Sequence, residues 1–112
     1  MPQLDEWDAC VAAPEFHRIL VENDQVRTLE TIVFPGQTVP LHTHVWSGVA
    51  TIISWSDMVR RDEHGNVTFD SRASGVHKQP GESAWMDPLP LHTLENVGEG
   101  VIHVITIELK NS

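Results

Sequence analysis

The stretch Val39-Pro40-Leu41-His42-Thr43-His44 carries two histidines separated by one residue. Side chains on a β-strand alternate between its two faces, so His42 and His44 are expected to project from the same face. With His92 contributed by a neighbouring strand, three imidazoles can bind one divalent metal and leave coordination positions open for a substrate. The alternative is a pair of half-exposed strand histidines without a metal, since about 0.4 such pairs are expected by chance in a chain with seven histidines.

Length and composition favour a single globular domain. The chain has 112 residues, the common size of one domain, and residues 1–112 are treated as one unit.

Cys10 is the only cysteine; because one thiol cannot form an internal disulfide, we expect a reducing, cytoplasmic environment. The first residues are acidic and lack the basic-then-apolar order of a signal peptide, and no apolar run approaches the length of a membrane span.

The charge balance narrows the class of partner. The formal net charge is -9, and a strongly acidic surface repels nucleic-acid phosphates. We therefore expect a small-molecule substrate and neither a nucleic-acid nor a membrane partner.

The order of apolar runs and turn residues predicts an all-β fold. Residues 4–13 are compatible with one short helix ended by Pro14. Beyond it, short runs rich in Val, Ile and Thr alternate with Gly, Pro and Asn turns, and residues 71–81 read as a loop. The predicted strands are 16–22, 26–34, 39–44, 48–55, 58–63, 66–70, 82–86, 91–96 and 101–109. Short, evenly spaced strands of this kind are typical of a sandwich or barrel.

The histidine pair also fits a known motif. Gly36 followed by His42 and His44 resembles the first motif of the cupin family, in which a glycine precedes a His-x-His pair and a glutamate follows it. In this chain the glutamate position falls on Gly48 or Val49. The carboxylate ligand of the family is therefore missing from its usual place.

The second cupin motif is matched in part. Pro88, His92 and Asn96 fit its spacing, while Pro90 stands where the family has a glycine. The resemblance covers roughly residues 25–110, nearly the whole chain. It implies a double-stranded β-helix, the cupin or jelly-roll barrel, with a short N-terminal segment.

The resemblance implies that His42, His44 and His92 are the metal ligands. Without the glutamate, the chain looks like the three-histidine cupins, which include diketone-cleaving dioxygenases and cysteine dioxygenase. Three neutral imidazoles leave the full 2+ charge on the metal, which favours an anionic, bidentate oxygen ligand such as an enolate or an α-keto acid. Fe(II) is the favoured metal, and Zn, Ni, Mn or Cu are alternatives, because imidazole suits all of these ions.

Other residues have two interpretations each. Trp46 and Trp85 are candidates for an apolar pocket wall, and the alternative is that they fill the core. His103 lies in phase with the apolar face of the last strand and either reaches the cavity or is a hydrogen-bonded core residue. Asn96 either helps to orient His92 as a metal ligand or makes the hydrogen bonds of a turn.

Two further sets of residues complete the candidates. Three carboxylates are alternatives for the missing ligand, although none lies at the family position: Glu30, Glu82 and Glu95. The remaining histidines are expected at the surface: His17, His64 and His77.

Two functions of different class follow. The first is an enzyme, a mononuclear non-haem iron oxygenase that cleaves a small enolisable or keto compound of the β-diketone type. The second is a non-catalytic cupin that binds a small ligand, and a zinc-dependent C–C or ester hydrolase is a further alternative on the same site. The resemblance and the need to cover exposed strand edges also predict a homodimer, with the N-terminal segment lying across a two-fold axis.

Overall fold

The computed structural model describes residues 5–111, which form two antiparallel sheets. Two short helices accompany nine strands in the described range. The helices are α1 (Ala9–Ala12) and α2 (Ser71–Ser74). The strands are β1 (His17–Glu22), β2 (Val26–Val33), β3 (Thr38–His44), β4 (Gly48–Ser54), β5 (Met58–Asp62), β6 (Val67–Asp70), β7 (Ser83–Met86), β8 (Leu89–Asn96) and β9 (Ile102–Leu109). The predicted all-β class is confirmed.

Three local predictions need correction. The helix expected over 4–13 is confined to α1, and residue 4 lies outside the described residues. The segment 71–81 is not all loop, because the Asp70 side chain accepts hydrogen bonds from two backbone N–H groups and starts α2. The strand predicted over 91–96 is longer than expected, since β8 already begins at Leu89.

The two sheets enclose the core between them. One sheet has the strand order β1-β2-β9-β4-β7 and the other β3-β8-β5-β6. The buried apolar cluster draws on both sheets and on the end of α1, and consists of Ala13, Val33, Val39, Met58 and Ile102. The predicted β5–β6 hairpin is present, and Gly65 supplies the positive φ of +84° that its turn requires.

The N-terminal segment covers an edge of the four-stranded sheet within its own chain. Asp8 forms a parallel bridge with Thr43 on β3, whose backbone N–H donates to the carbonyl oxygen of Trp7 at 2.7 Å. The described part of this segment therefore lies along β3 instead of extending towards another molecule, and homodimerisation stays a prediction. Neither α1 nor α2 is long or apolar enough to cross a membrane.

Gly48 marks the closest approach of two strands in the five-stranded sheet. It pairs with Glu108 on β9, and a Cβ atom at this position would overlap the carbonyl oxygen of Ile107. Any side chain here would force β4 and β9 apart. Gly48, one of the two positions at which the cupin motif would place its glutamate, is therefore a position that only glycine fits in this chain.

Candidate metal centre

Four buried histidines gather between the two sheets. His42 and His44 lie on β3, His92 is the cross-strand partner of His42 on β8, and His17 enters from β1. The ring centroids of His42 lie 5.0 Å from His44, 4.2 Å from His92 and 4.8 Å from His17. The ligand atoms of His17, His42 and His44 lie within 4.8 Å of one another, close enough to hold one metal ion, and His92 stands beside this group.

Backbone carbonyls fix the tautomer of three of these rings. The Nδ1 atom of His42 donates to the carbonyl oxygen of Pro40 at 2.7 Å, and that of His92 donates to Pro90 at 2.7 Å. The Nδ1 atom of His17 donates to the carbonyl oxygen of Ala13 at 3.1 Å. Because a carbonyl oxygen only accepts, each Nδ1 carries the proton and each Nε2 keeps its lone pair for a metal.

The two hydrogen bonds to proline carbonyls come from one repeated sequence. Pro-Leu-His-Thr occurs at 40–43 and again at 90–93, and in both copies the histidine bonds to the carbonyl two residues before it. The repeat places equivalent histidines on the paired strands β3 and β8. Such outer hydrogen bonds orient imidazole ligands and raise their basicity.

The fourth ring, that of His44, lies next to the buried carboxylate of Glu108. The Nδ1 atom of His44 lies 3.5 Å from Oε2 of Glu108, and neither atom has another hydrogen-bond partner. The other oxygen of Glu108 accepts from Nε of Arg27 at 2.6 Å, and Arg27 donates two further hydrogen bonds of 2.9 Å to Asp8. Arg27, Asp8 and Glu108 are all fully buried. Two carboxylates around one guanidinium give this buried triad a formal charge of -1.

Glu108 was not anticipated from the sequence, yet it lies next to the position at which the motif lacks its glutamate. It is the register partner of Gly48, on the adjacent strand. The carboxylate therefore reaches the site from β9, behind His44, instead of from β4. A carboxylate is therefore present behind the centre, although the convergent group itself contains only imidazoles.

Burial lowers the pKa of three of the four clustered histidines. Desolvation and the neighbouring histidines lower the pKa of His17 and of His92 to about 3. Burial, then His44, lower the pKa of His42 to about 4, and the positive charge of Arg60 acts in the same direction on His42 and His92. These rings are therefore unprotonated at neutral pH, which is the form that binds metals.

A cavity of about 400 Å³ opens from the histidines. His17, His42, His44 and His92 contribute to its lining. Most of the remaining wall is apolar and includes Ile52, Met58, Phe69, Leu94, Ile102 and Val104. A predominantly apolar pocket with a few convergent polar groups is the usual form of a small-molecule site.

The two predicted wall tryptophans differ in position. Trp85 contributes to the cavity lining, although it is 58% exposed and its indole N–H donates to Asp87. Trp46 is not part of that lining, and of its two interpretations the structure agrees with core filling. It is buried against the cations of Arg27 and Lys110, at 5.0 and 5.6 Å from its ring centroid, and so fills the core beside the triad.

His103 does not reach the cavity. Its Nε2 atom lies 2.9 Å from a carboxylate oxygen of Glu30. The neighbours Ile102 and Val104 line the cavity, so the phase of β9 is opposite to the one predicted. Alternation did not decide this phase, because both faces of β9 carry apolar residues together with polar ones.

Asn96 does not support His92. Its Nδ2 group donates to the carbonyl oxygens of Val33 and Gly100, and its Oδ1 atom accepts from Ser56 and from the backbone N–H of Gly98. These four hydrogen bonds satisfy the turn between β8 and β9, which was the alternative interpretation.

The remaining candidates lie outside the cavity lining. Glu30 binds Arg18 as well as His103, Glu95 binds Arg61, and Glu82 accepts from the backbone N–H of Gln79. None of the three carboxylates is therefore a stand-in ligand. His64 and His77 are exposed as predicted, but His17 is buried in the cluster, and the prediction of a surface position for it is wrong.

Burial raises the pKa of the Cys10 thiol to about 11. A thiol that stays protonated at neutral pH is a poor nucleophile.

Comparison with solved structures identifies the architecture. A cupin domain from Bordetella pertussis superposes with a TM-score of 0.67 at 19% identity, over 85% of this chain and 92% of that one. The fold is that of the cupins. A double-stranded β-helix protein from Klebsiella pneumoniae follows with a TM-score of 0.56 at 20% identity, over 86% of this chain and 77% of that one.

A third similar structure is the polyketide cyclase RemF from Streptomyces resistomycificus, with a TM-score of 0.54 at 17% identity, over 84% of this chain and 63% of that one. No protein-family model matches the sequence, and no curated protein matches it significantly. The predicted double-stranded β-helix is confirmed, and these identities support the fold alone.

Proposed function

We propose that this cupin binds one divalent transition metal through its buried histidines and acts as a mononuclear non-haem iron oxygenase on a small enolisable or keto compound. The observation that carries the proposal is the convergence of His17, His42 and His44, with His92 beside them, at the wall of an apolar cavity. Imidazole nitrogens with free lone pairs are suitable ligands for iron, zinc, nickel and copper.

The chain offers the metal an uncharged set of ligands. Three or four imidazoles leave positions free on a six-coordinate ion, and the buried carboxylate of Glu108 lies behind His44. A bidentate anion such as an enolate would both fill those positions and neutralise the ion. When bound, Fe(II) would supply reactivity towards O₂, whereas Zn(II) would supply Lewis acidity alone.

The cavity walls have their own part in this function. Apolar side chains exclude water and lower the local dielectric, which strengthens the attraction between the ion and an anionic substrate. Among the described lining residues, Asp87 is the one carboxylate, and it is exposed. The histidines are thus the principal polar groups deep in the cavity, which favours chemistry carried by the metal over separate acid–base catalysis.

The test is anaerobic loading with Fe(II), followed by measurement of O₂ uptake with a panel of β-diketones and α-keto acids. We expect uptake with at least one enolisable compound and none with metal-free protein. Absence of uptake above the metal-free control for every compound would reject the oxygenase.

The same preparation separates the two alternatives. Ester or C–C hydrolysis by the zinc-loaded protein, without O₂ uptake by the iron-loaded protein, would indicate a hydrolase on the same site. Ligand binding without turnover in either form would indicate a non-catalytic binding protein.

A further inference from the structure

Arg60 lines the cavity as a cation that has no anionic partner among the described residues. The chain has five arginines, and four of them have a carboxylate within 4.0 Å: Arg18, Arg27, Arg61 and Arg72. Within residues 5–111, no carboxylate pairs with Arg60 and no group accepts a hydrogen bond from its side chain. Its Nε atom is buried without a partner, and its guanidinium carbon lies 5.4 Å from the centroid of the Phe69 ring.

The position of Arg60 places it next to the histidines. Arg60 on β5 is the cross-strand partner of Leu94 on β8, and His92 lies two residues before Leu94 on the same face of that strand. Arg60, His92 and Leu94 all contribute to the cavity lining. The guanidinium therefore lines the same cavity as the candidate metal centre.

An unpaired cation in a largely apolar wall is unfavourable unless something compensates it. Removing a guanidinium from water costs free energy that a partner anion normally offsets. The charged lining residues are Arg60, Lys78 and Asp87, which give the lining a formal charge of +1 in a chain of net charge -9. A divalent metal on neutral imidazoles would make this region more positive still.

We propose that Arg60 binds a carboxylate group of the substrate, so that the substrate class is a small α- or β-keto carboxylate instead of a neutral diketone. This inference rests on the proposed metal centre for the other end of the substrate. The planar guanidinium fork matches a carboxylate with two parallel hydrogen bonds, and Nε is one of the donors that this geometry uses. The apolar wall would then accommodate the carbon chain between the two ends.

The test compares acetylpyruvate with acetylacetone, which differ by a carboxylate in place of a methyl group. Both are titrated calorimetrically into zinc-loaded wild-type protein and into the Arg60→Met, Arg60→Lys and Arg61→Met variants. We expect Arg60→Met to lower the affinity for acetylpyruvate about 10- to 100-fold and to leave acetylacetone nearly unchanged. Arg61 pairs with Glu95, so Arg61→Met is the matched control and should keep the wild-type ratio of the two affinities.

The outcomes distinguish the two proposals. An unchanged affinity ratio in Arg60→Met, with full metal content, overturns the role of Arg60 and leaves the metal centre standing. If the protein takes up no metal, the proposed function fails, and the titrations are repeated on metal-free protein. Carboxylate binding that still depends on Arg60 would support this inference, and its absence would overturn it. If Arg60→Met does not fold, Arg60→Lys decides, because a point charge without the fork should still reduce the ratio.

Discussion

Replacing Glu108 by glutamine tests whether the carboxylate behind His44 strengthens metal binding at the site. In the wild-type chain, Oε1 of Glu108 accepts from Arg27 at 2.6 Å and Oε2 faces the Nδ1 atom of His44 at 3.5 Å. Glutamine has one oxygen and one NH₂ group. Because Arg27 requires the oxygen, the NH₂ group must face His44, where it can only donate.

The consequence for His44 is a change of tautomer. A donor opposite Nδ1 favours the form in which Nδ1 carries the lone pair and Nε2 carries the proton, and that form cannot bind a metal through Nε2. Loss of an outer carboxylate typically lowers metal affinity about 10–100-fold, which corresponds to about 1.4–2.7 kcal/mol, and we expect the upper end for Glu108→Gln. The fold should persist, since Arg27 keeps both hydrogen bonds to Asp8 and the triad becomes neutral.

The assay is a competition titration of Zn(II) against a chromophoric chelator, with unfolding in urea measured in parallel. Glu30→Gln is the matched control, because Glu30 also pairs with a histidine, His103, but outside the cavity lining. It should leave zinc affinity unchanged. Equal zinc affinity in wild-type protein and Glu108→Gln would refute the reasoning, and so would an equal loss in Glu30→Gln.

Three further predictions concern the cluster and the strands beneath it. His17→Ala should reduce zinc affinity by more than about 10-fold, which is the smallest loss typical of a residue that only hydrogen-bonds to a metal ligand. His64→Ala should leave zinc affinity unchanged, and chelator competition measures both variants. Acidification from about pH 7 to about pH 5 should destabilise the metal-free protein by up to about 2 kcal/mol for each of His17 and His92. The reason is that these rings bind protons near pH 6.5 in the unfolded chain, whereas their pKa in the folded chain is about 3. Urea midpoints measured at each pH test this, and a stability that does not change with pH would contradict it. Gly48→Ala should cost about 1–3 kcal/mol of unfolding free energy, since the added methyl group overlaps the carbonyl oxygen of Ile107.

Much of the fold could be predicted from local signals. Turn residues such as Pro35-Gly36 and His64-Gly65 separate runs of β-branched residues, and the observed strands begin and end close to these turns. The spacing of His42 and His44 placed both on one face of β3, and they are both buried there. These features depend on neighbouring residues and on the strand period, which a sequence displays directly.

The rest depended on strand pairing, which the sequence does not display. His17 joins the cluster because β1 belongs to the five-stranded sheet and the ring is anchored on Ala13. Glu108 reaches His44 because β9 pairs with β4 at Gly48. The phase of β9 was misjudged for the same reason, since the buried face includes the polar residues Thr106 and Glu108 and only the position of the strand within the sheet shows that this face is inside.

The repeated Pro-Leu-His-Thr sequence at 40–43 and 90–93 was a usable signal for the pairing of His42 with His92. No comparable pattern marks His17 or Arg60. Their importance follows from burial, from the absence of a paired charge around Arg60 and from the cavity that they share.

The metal content of the purified protein tests the central claim most directly. Wild-type protein and a His42→Ala/His44→Ala variant are loaded with Fe(II) or Zn(II), dialysed and analysed for metal per 12.5 kDa chain. We expect one ion per wild-type chain and loss of that ion in the variant, while far-UV circular dichroism stays the same. Wild-type protein that holds only a trace of metal, or a variant that holds as much as the wild type, would contradict a metal centre at these histidines.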